Sequence, residues 1–204
     1  MIDKSLDLYG VILYRTDIRH YPAYTLPEGY FFAFYQAGDE VQWSELECAL
    51  GQFSNVEEGV ECFKGEFLKS DRLLPEERML FVKNSEGKTV ATCTLWEGDQ
   101  LGKASGRFHW LAVSDECAGK GIAKALFSRL FALASELGYE DMLYLETGTW
   151  YYPAIGMYKK LGFDFYRGEK SPFKNISDEQ FKEQNEKAIA MIEQKLSERK
   201  KAAD

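Results

Sequence analysis

The stretch from Val113 to Leu137 restricts the rest of the chain more than any other. An apolar run of strand length, Phe108-His109-Trp110-Leu111-Ala112-Val113, leads into Ser114-Asp115-Glu116-Cys117-Ala118-Gly119-Lys120-Gly121. Ile122, Leu126, Leu130, Leu133 and Leu137 then recur at the steps that place one apolar stripe on a helix, and Gly138 is a normal helix stop. The reading is strand, short glycine turn, helix. A helix start carries backbone N–H groups without internal partners, and the helix dipole adds positive potential there. Gly119 and Gly121 have no Cβ to keep an anion away, and Lys120 and Lys124 add charge, so the turn suits a pyrophosphate. It is not a Walker A loop, because the Lys-Ser/Thr ending is absent. It is not a dinucleotide fingerprint either, because the third glycine is missing. Taken alone, the turn equally fits glycines that merely relieve crowding between strand and helix.

A second segment, Ala154-Ile155-Gly156-Met157-Tyr158-Lys159-Lys160-Leu161-Gly162-Phe163, removes that ambiguity. Together with Ala118-Gly119-Lys120-Gly121-Ile122-Ala123 it resembles the two halves of the acyl-CoA signature of the GNAT superfamily of N-acetyltransferases, in order and spacing, over roughly Phe108 to Tyr166. Two positions depart from that pattern. The family's Arg/Gln is Ala118, which removes one side chain that orders the loop and implies a weakened phosphate site. The family's Asn is Tyr151, so a pantetheine contact through that side chain is not carried over. The resemblance implies an α/β GNAT fold, a mixed twisted sheet of about six to seven strands with helices on both faces and an extra C-terminal helix. It also implies acetyl-CoA as co-substrate and an amine acceptor, either a small molecule or a protein amine. Many relatives are dimers, so a homodimer is a further expectation.

Size, charge and cysteines bound the rest. The 204 residues are expected to form a single domain, with an N-terminal arm over 1–29, a core over 30–170 and a C-terminal helix over 176–200. The formal charge of −8 disfavours nucleic acid, which wants a basic face, and mildly favours a cationic substrate. No run is long or apolar enough to span a bilayer, and the first residues do not open a signal peptide, so no membrane partner is expected. Cys48, Cys62, Cys93 and Cys117 show no metal-type spacing and the chain has only 2 histidines, so no metal site is expected; free thiols in a reducing cytoplasm is the simple reading.

The remaining elements follow from pattern. Val11–Arg15 reads as a strand candidate in an otherwise tyrosine- and proline-rich opening, and Tyr30–Tyr35 as the first clear strand. Asp39 with Gln42 and Asn55 with Glu58 read as helix N-caps. Trp43, Leu46 and Leu50 form one buried stripe, and Val60, Phe63 and Phe67 a second; Glu45, Glu47, Glu57, Glu58 and Glu61 read as mostly solvated helix faces. Met79–Val82 and Thr89–Trp96 read as a hairpin about Asn84–Gly87, and Met142–Thr147 as a buried strand. Ser177 with Gln180 forms a capping box for a last amphipathic helix.

The resemblance also assigns roles. Ala118, Gly119, Lys120, Gly121, Ile122, Ala123 and Lys124 would hold the pyrophosphate. The backbone of Leu111, Ala112 and Val113 would meet the pantetheine, with the Val113 amide polarising the thioester carbonyl. Tyr158 matches the family tyrosine that protonates the leaving thiolate. His109, expected on the strand face of Leu111 and Val113, and Glu146 on the next strand are both candidates for removing the ammonium proton. Cys117 is a rival nucleophile, disfavoured by its place beside the phosphate turn. The alternative to an enzyme is a degenerate acyl-CoA-binding sensor or interaction module.

Overall fold

The computed structural model describes residues 3–70 and 72–202. Among them seven strands and six α-helices form: β1 Gly10–Arg15, β2 Tyr30–Phe34, α1 Asp39–Ala49, α2 Val56–Phe67, α3 Pro75–Arg78, β3 Met79–Asn84, β4 Thr89–Gly98, β5 Ser105–Val113, α4 Ile122–Glu136, β6 Leu143–Gly148, α5 Tyr152–Lys160, β7 Asp164–Phe165 and α6 Asp178–Lys201. This is the α/β class with a C-terminal helix that the sequence implies. The chain divides into two compact units, residues 22–96 with 108–138, and residues 3–21, 97–107 and 139–202.

In the unit of residues 22–96 and 108–138, β3 pairs antiparallel with β2 and with β4. Every residue from Thr89 to Trp96 in β4 is buried, which is why that run lacks a polar alternation. Trp43 of α1 and Phe63 and Phe67 of α2 meet Tyr35, Phe81 and Trp96 in one aromatic cluster, with Phe53 and Trp110 packed against it. The expected stripes are therefore real, and each such ring contributes roughly 1.5–3 kcal/mol by leaving water. Phe108 of β5 packs instead on Phe127 and Phe131 of α4, at 5.1 and 5.4 Å between ring centres. Helices thus cover both faces of this unit's strands.

Strand β5 departs from simple alternation. Phe108 faces α4, His109 faces Phe67 of α2, and Trp110 lies on that same side against Trp43 and Phe53. Trp110 has φ of +52°, alone among the described non-glycine residues in lying in the left-handed region. Such a backbone costs about 1–3 kcal/mol and kinks the strand as a bulge does. His109 and its neighbour Trp110 thus share a side, and simple alternation breaks at this point of β5.

Two further expectations change. Helix α1 is capped by the backbone of Gly38, at φ +104°, and not by Asp39 with Gln42. Both side chains are spent on tertiary contacts: Asp39 accepts from Gln36 N–H and pairs with Lys83 at 2.6 Å, and Gln42 accepts from Thr89 N–H. Asn55, by contrast, accepts from Glu58 N–H as expected. Glu47 does not lie on a solvated face. It is 3% exposed, its Oε1 has no hydrogen-bond partner, and burial pushes its carboxyl up to about 8. It follows Trp43 by one turn and so shares the buried stripe.

In the unit of residues 3–21, 97–107 and 139–202, β1 pairs antiparallel with both β6 and β7. Within the stretch expected to be an arm, Gly10–Arg15 is thus the middle strand of three. Buried Arg15 donates to the carbonyls of Asp17, His20 and Leu161 and ties β1 to the end of α5. The capping box of Ser177 and Gln180 starts α6, whose buried Phe181, Ala188, Ile189 and Ile192 settle on α5 and β1. The last helix packs on its own chain.

Two stability outcomes follow. A Cβ at Gly59 would lie 2.8 Å from Ser44 Cβ and 3.2 Å from the Phe53 ring, so this glycine lets α2 approach α1. Gly59→Val should lower the unfolding free energy by about 2–3 kcal/mol in urea titration, the usual range of overpacking; an unchanged midpoint would refute the close packing. Glu47 binds its proton more tightly folded than unfolded, so stability falls as pH rises from its ordinary value of 4.5 through about 8. Glu47→Gln should remove that loss and gain on the order of a few kcal/mol at pH 9 relative to pH 5. Equal pH slopes in wild type and variant would contradict the burial of a titrating carboxyl.

Candidate functional site

The turn before α4 lies within the unit of residues 22–96 and 108–138. After β5 the chain makes one 3-10 turn, Asp115–Cys117, and then passes through Gly119 at φ +78° and Gly121 at φ +82°. Among the described residues, chain neighbours apart, nothing lies within 4 Å of where a Cβ would sit on either glycine. Crowding is therefore not the reason for these residues. The left-handed backbone requires them, and the space before them is open. Gly121 is the N-cap of α4 and supplies no side-chain cap. The amides of Ala118 and Lys120 turn inward to the carbonyls of Asp115 and Cys117. The amides of Gly119, Gly121, Ile122, Ala123 and Lys124 take no acceptor among the described residues. Such a donor set at the positive end of a helix of 15 residues fits a diphosphate.

The cationic side chains here rest on tyrosines of the preceding segment. Lys120 donates to Tyr30 Oη at 3.2 Å, a bond that raises the lysine's proton affinity above its ordinary value. Lys124 Nζ lies 5.2 Å from the centre of the Tyr24 ring. Tyr24 N–H donates to Ser128 Oγ at 2.9 Å, and Ser128 Oγ donates to Pro22 O at 2.7 Å, so the segment is fastened along α4. Cys117 is buried, with Sγ 3.7 Å from Tyr30 Oη. Leu111 and Val113 are half-buried and Ala112 is buried at the end of β5.

The two candidates for accepting a proton take different partners. His109 Nε2 lies 2.8 Å from Glu66 Oε1, with the histidine side chain 16% and the carboxylate side chain 40% exposed. Glu66 is an exposed residue in the last turn of α2 and gave no sign in the sequence beyond being one more acidic residue on an acidic helix. In the other unit, Glu146 Oε2 lies 3.7 Å from Arg107 Nη1, whose side chain is 13% exposed. Close by, burial pushes the Tyr144 hydroxyl up to about 12, with Arg107 pulling the other way, and that hydroxyl donates to Gln100. Tyr158, also in that unit, is 6% exposed on α5, its ring edge-on to Phe163 at 6.4 Å. No helix among the described residues is long and apolar enough to cross a membrane.

Similarity to known proteins agrees with this geometry. The Acetyltransferase (GNAT) family pattern matches residues 26–163. A mouse protein described as probable N-acetyltransferase family 8 member 5 is 40% identical over 63 residues, which cover 31% of this chain and 27% of the mouse protein. A GCN5-related N-acetyltransferase from Sphaerobacter thermophilus superposes with a TM-score of 0.60 at 22% identity, covering 77% of this chain and 48% of that one. A GNAT-family acetyltransferase from Colwellia psychrerythraea gives 0.58 at 14% identity, covering 78% and 54%. The likeness thus spans about a quarter to a half of the length of these relatives, and at these identities the structural matches speak for the fold alone. With the family pattern covering residues 26–163 and running through both the glycine turn and the Tyr158 helix, the chain belongs to the GNAT acetyltransferase family.

Proposed function

We propose that this protein transfers an acetyl group from acetyl-CoA to an amine by direct attack. The observation that carries this reading is the set of open amides from Gly119 to Lys124, framed by glycines that the backbone requires, in a chain of this family. The turn anchors the diphosphate of the donor, and the backbone of Leu111, Ala112 and Val113 serves its pantetheine arm. The amine nitrogen attacks the thioester carbonyl, the C–S bond breaks, the acetyl group passes to nitrogen and CoA leaves as thiolate. Tyr158, at the position of the family's tyrosine, supplies the proton that the thiolate takes up. The ammonium proton must be removed before attack. His109 is the preferred candidate for that step, because Glu66 holds its ring, whereas Glu146 is engaged with Arg107. Cys117 is buried behind the turn and is not assigned a covalent role. The acceptor class is an amine on either a small molecule or a protein, the acidic chain favouring a cationic one.

The second reading, a CoA-binding module without turnover, is favoured by Ala118 and Tyr151 standing where the family has functional side chains. Thiol release from acetyl-CoA with a panel of amines separates the two. The transferase reading expects turnover, a drop in kcat of about 100-fold or more in Tyr158→Phe and in His109→Gln, and retained CoA affinity in both. Tight CoA binding with no turnover on any amine contradicts it.

A further inference from the structure

The tyrosine- and proline-rich segment before β2 has no part in the transfer just described, yet it is fastened beside the glycine turn. We propose that it is a clasp for the nucleotide end of the donor, in which Tyr24 stacks on the purine ring while Lys124 and Lys120 meet the ribose 3′-phosphate. The proposal rests on the donor reading given above. Tyr24 leaves 40% of its surface open to solvent, although it is a large ring on a fastened backbone. Its own amide is pinned to Ser128 Oγ and the Pro22 carbonyl to the same hydroxyl, which fixes the segment to α4 one turn beyond Lys124. The ring is thus presented in place at little further cost in entropy, the usual gain from preorganisation. Core packing does not explain such an arrangement, since the ring faces water.

The neighbouring charges agree. Lys124 sits over the Tyr24 ring and Lys120 over the Tyr30 ring, at 5.2 and 5.8 Å. Lys120 also donates to Tyr30 Oη at the start of β2, so each of the two lysines is held by a tyrosine. In an otherwise acidic chain, two restrained cations and an exposed aromatic face border the amides that fit a diphosphate. Coenzyme A carries these complements in its nucleotide: a diphosphate, a 3′-phosphate and a purine. Purines stack on aromatic side chains without needing hydrogen-bond readout, and lysine serves phosphate as a point charge.

Calorimetric titrations with CoA, 3′-dephospho-CoA and pantetheine test the assignment. Tyr24→Ala should weaken CoA and 3′-dephospho-CoA alike by about tenfold, the effect of losing one stacked base, and leave pantetheine unchanged. Tyr24→Phe should restore wild-type affinities. Lys124→Ala should weaken CoA more than 3′-dephospho-CoA. Unchanged CoA affinity in Tyr24→Ala, or an equal loss for pantetheine, overturns the clasp while leaving the donor reading intact. A wild-type chain that binds none of the three overturns both.

Discussion

Left-handed backbone at Gly119 and Gly121 is the constraint on which the site depends. Two successive excursions to positive φ let the chain leave β5 and enter α4 within a few residues, and only glycine takes that conformation without strain. The same excursions turn the amides of Ala118 and Lys120 inward and leave those of Gly119, Gly121 and the first helical residues without acceptors. A conformation needed for chain direction therefore also creates the anion site. Its lack of a side-chain cap on α4, a weakness in an ordinary helix, is what keeps those donors open.

A second strain accompanies the first, on the same strand. Trp110 holds φ +52° because its ring is locked between Trp43 and Phe53 in the aromatic cluster of α1 and α2. Alternation from Phe108 already turns His109 toward α2, where the imidazole meets Glu66, and the kink adds Trp110 to that same side. The large rings thus flank the polar pair, an apolar scaffold beside a titratable group. The acid-rich composition finds its counterpart in the same logic. Glu47 faces the core, where burial favours its neutral form, while the cations of the glycine turn rest on tyrosines that restrain them.

Much of this was legible in the residues. The period of three and four in Ile122, Leu126, Leu130 and Leu133 marked α4, glycines marked its turn, and the paired motifs about Gly119 and Tyr158 marked the family. The caps at Asn55 and Ser177 were readable because a side chain bonds to backbone a few residues on, a purely local event. The misreadings share the opposite cause. Asp39 looked like a cap but pairs with Lys83 of β3, and Glu47 looked solvated although it shares the Trp43 stripe. That Trp110 shares a side with His109 goes with ring packing against α1 and Phe53, which no local pattern records. Glu66, Tyr24 and Tyr30 gain meaning only from residues distant in sequence, which no spacing rule reaches.

The central claim is that specific backbone amides, more than side chains, grip the donor. Amide-resolved NMR of the wild-type chain titrated with coenzyme A tests it directly. The account predicts saturable downfield shifts of the Gly119, Gly121, Ile122 and Ala123 amide protons, with those of Ala118 and Lys120 little changed because their bonds are already made. Saturable binding that leaves the Gly119 to Ala123 resonances in place, or no binding at all, would contradict it.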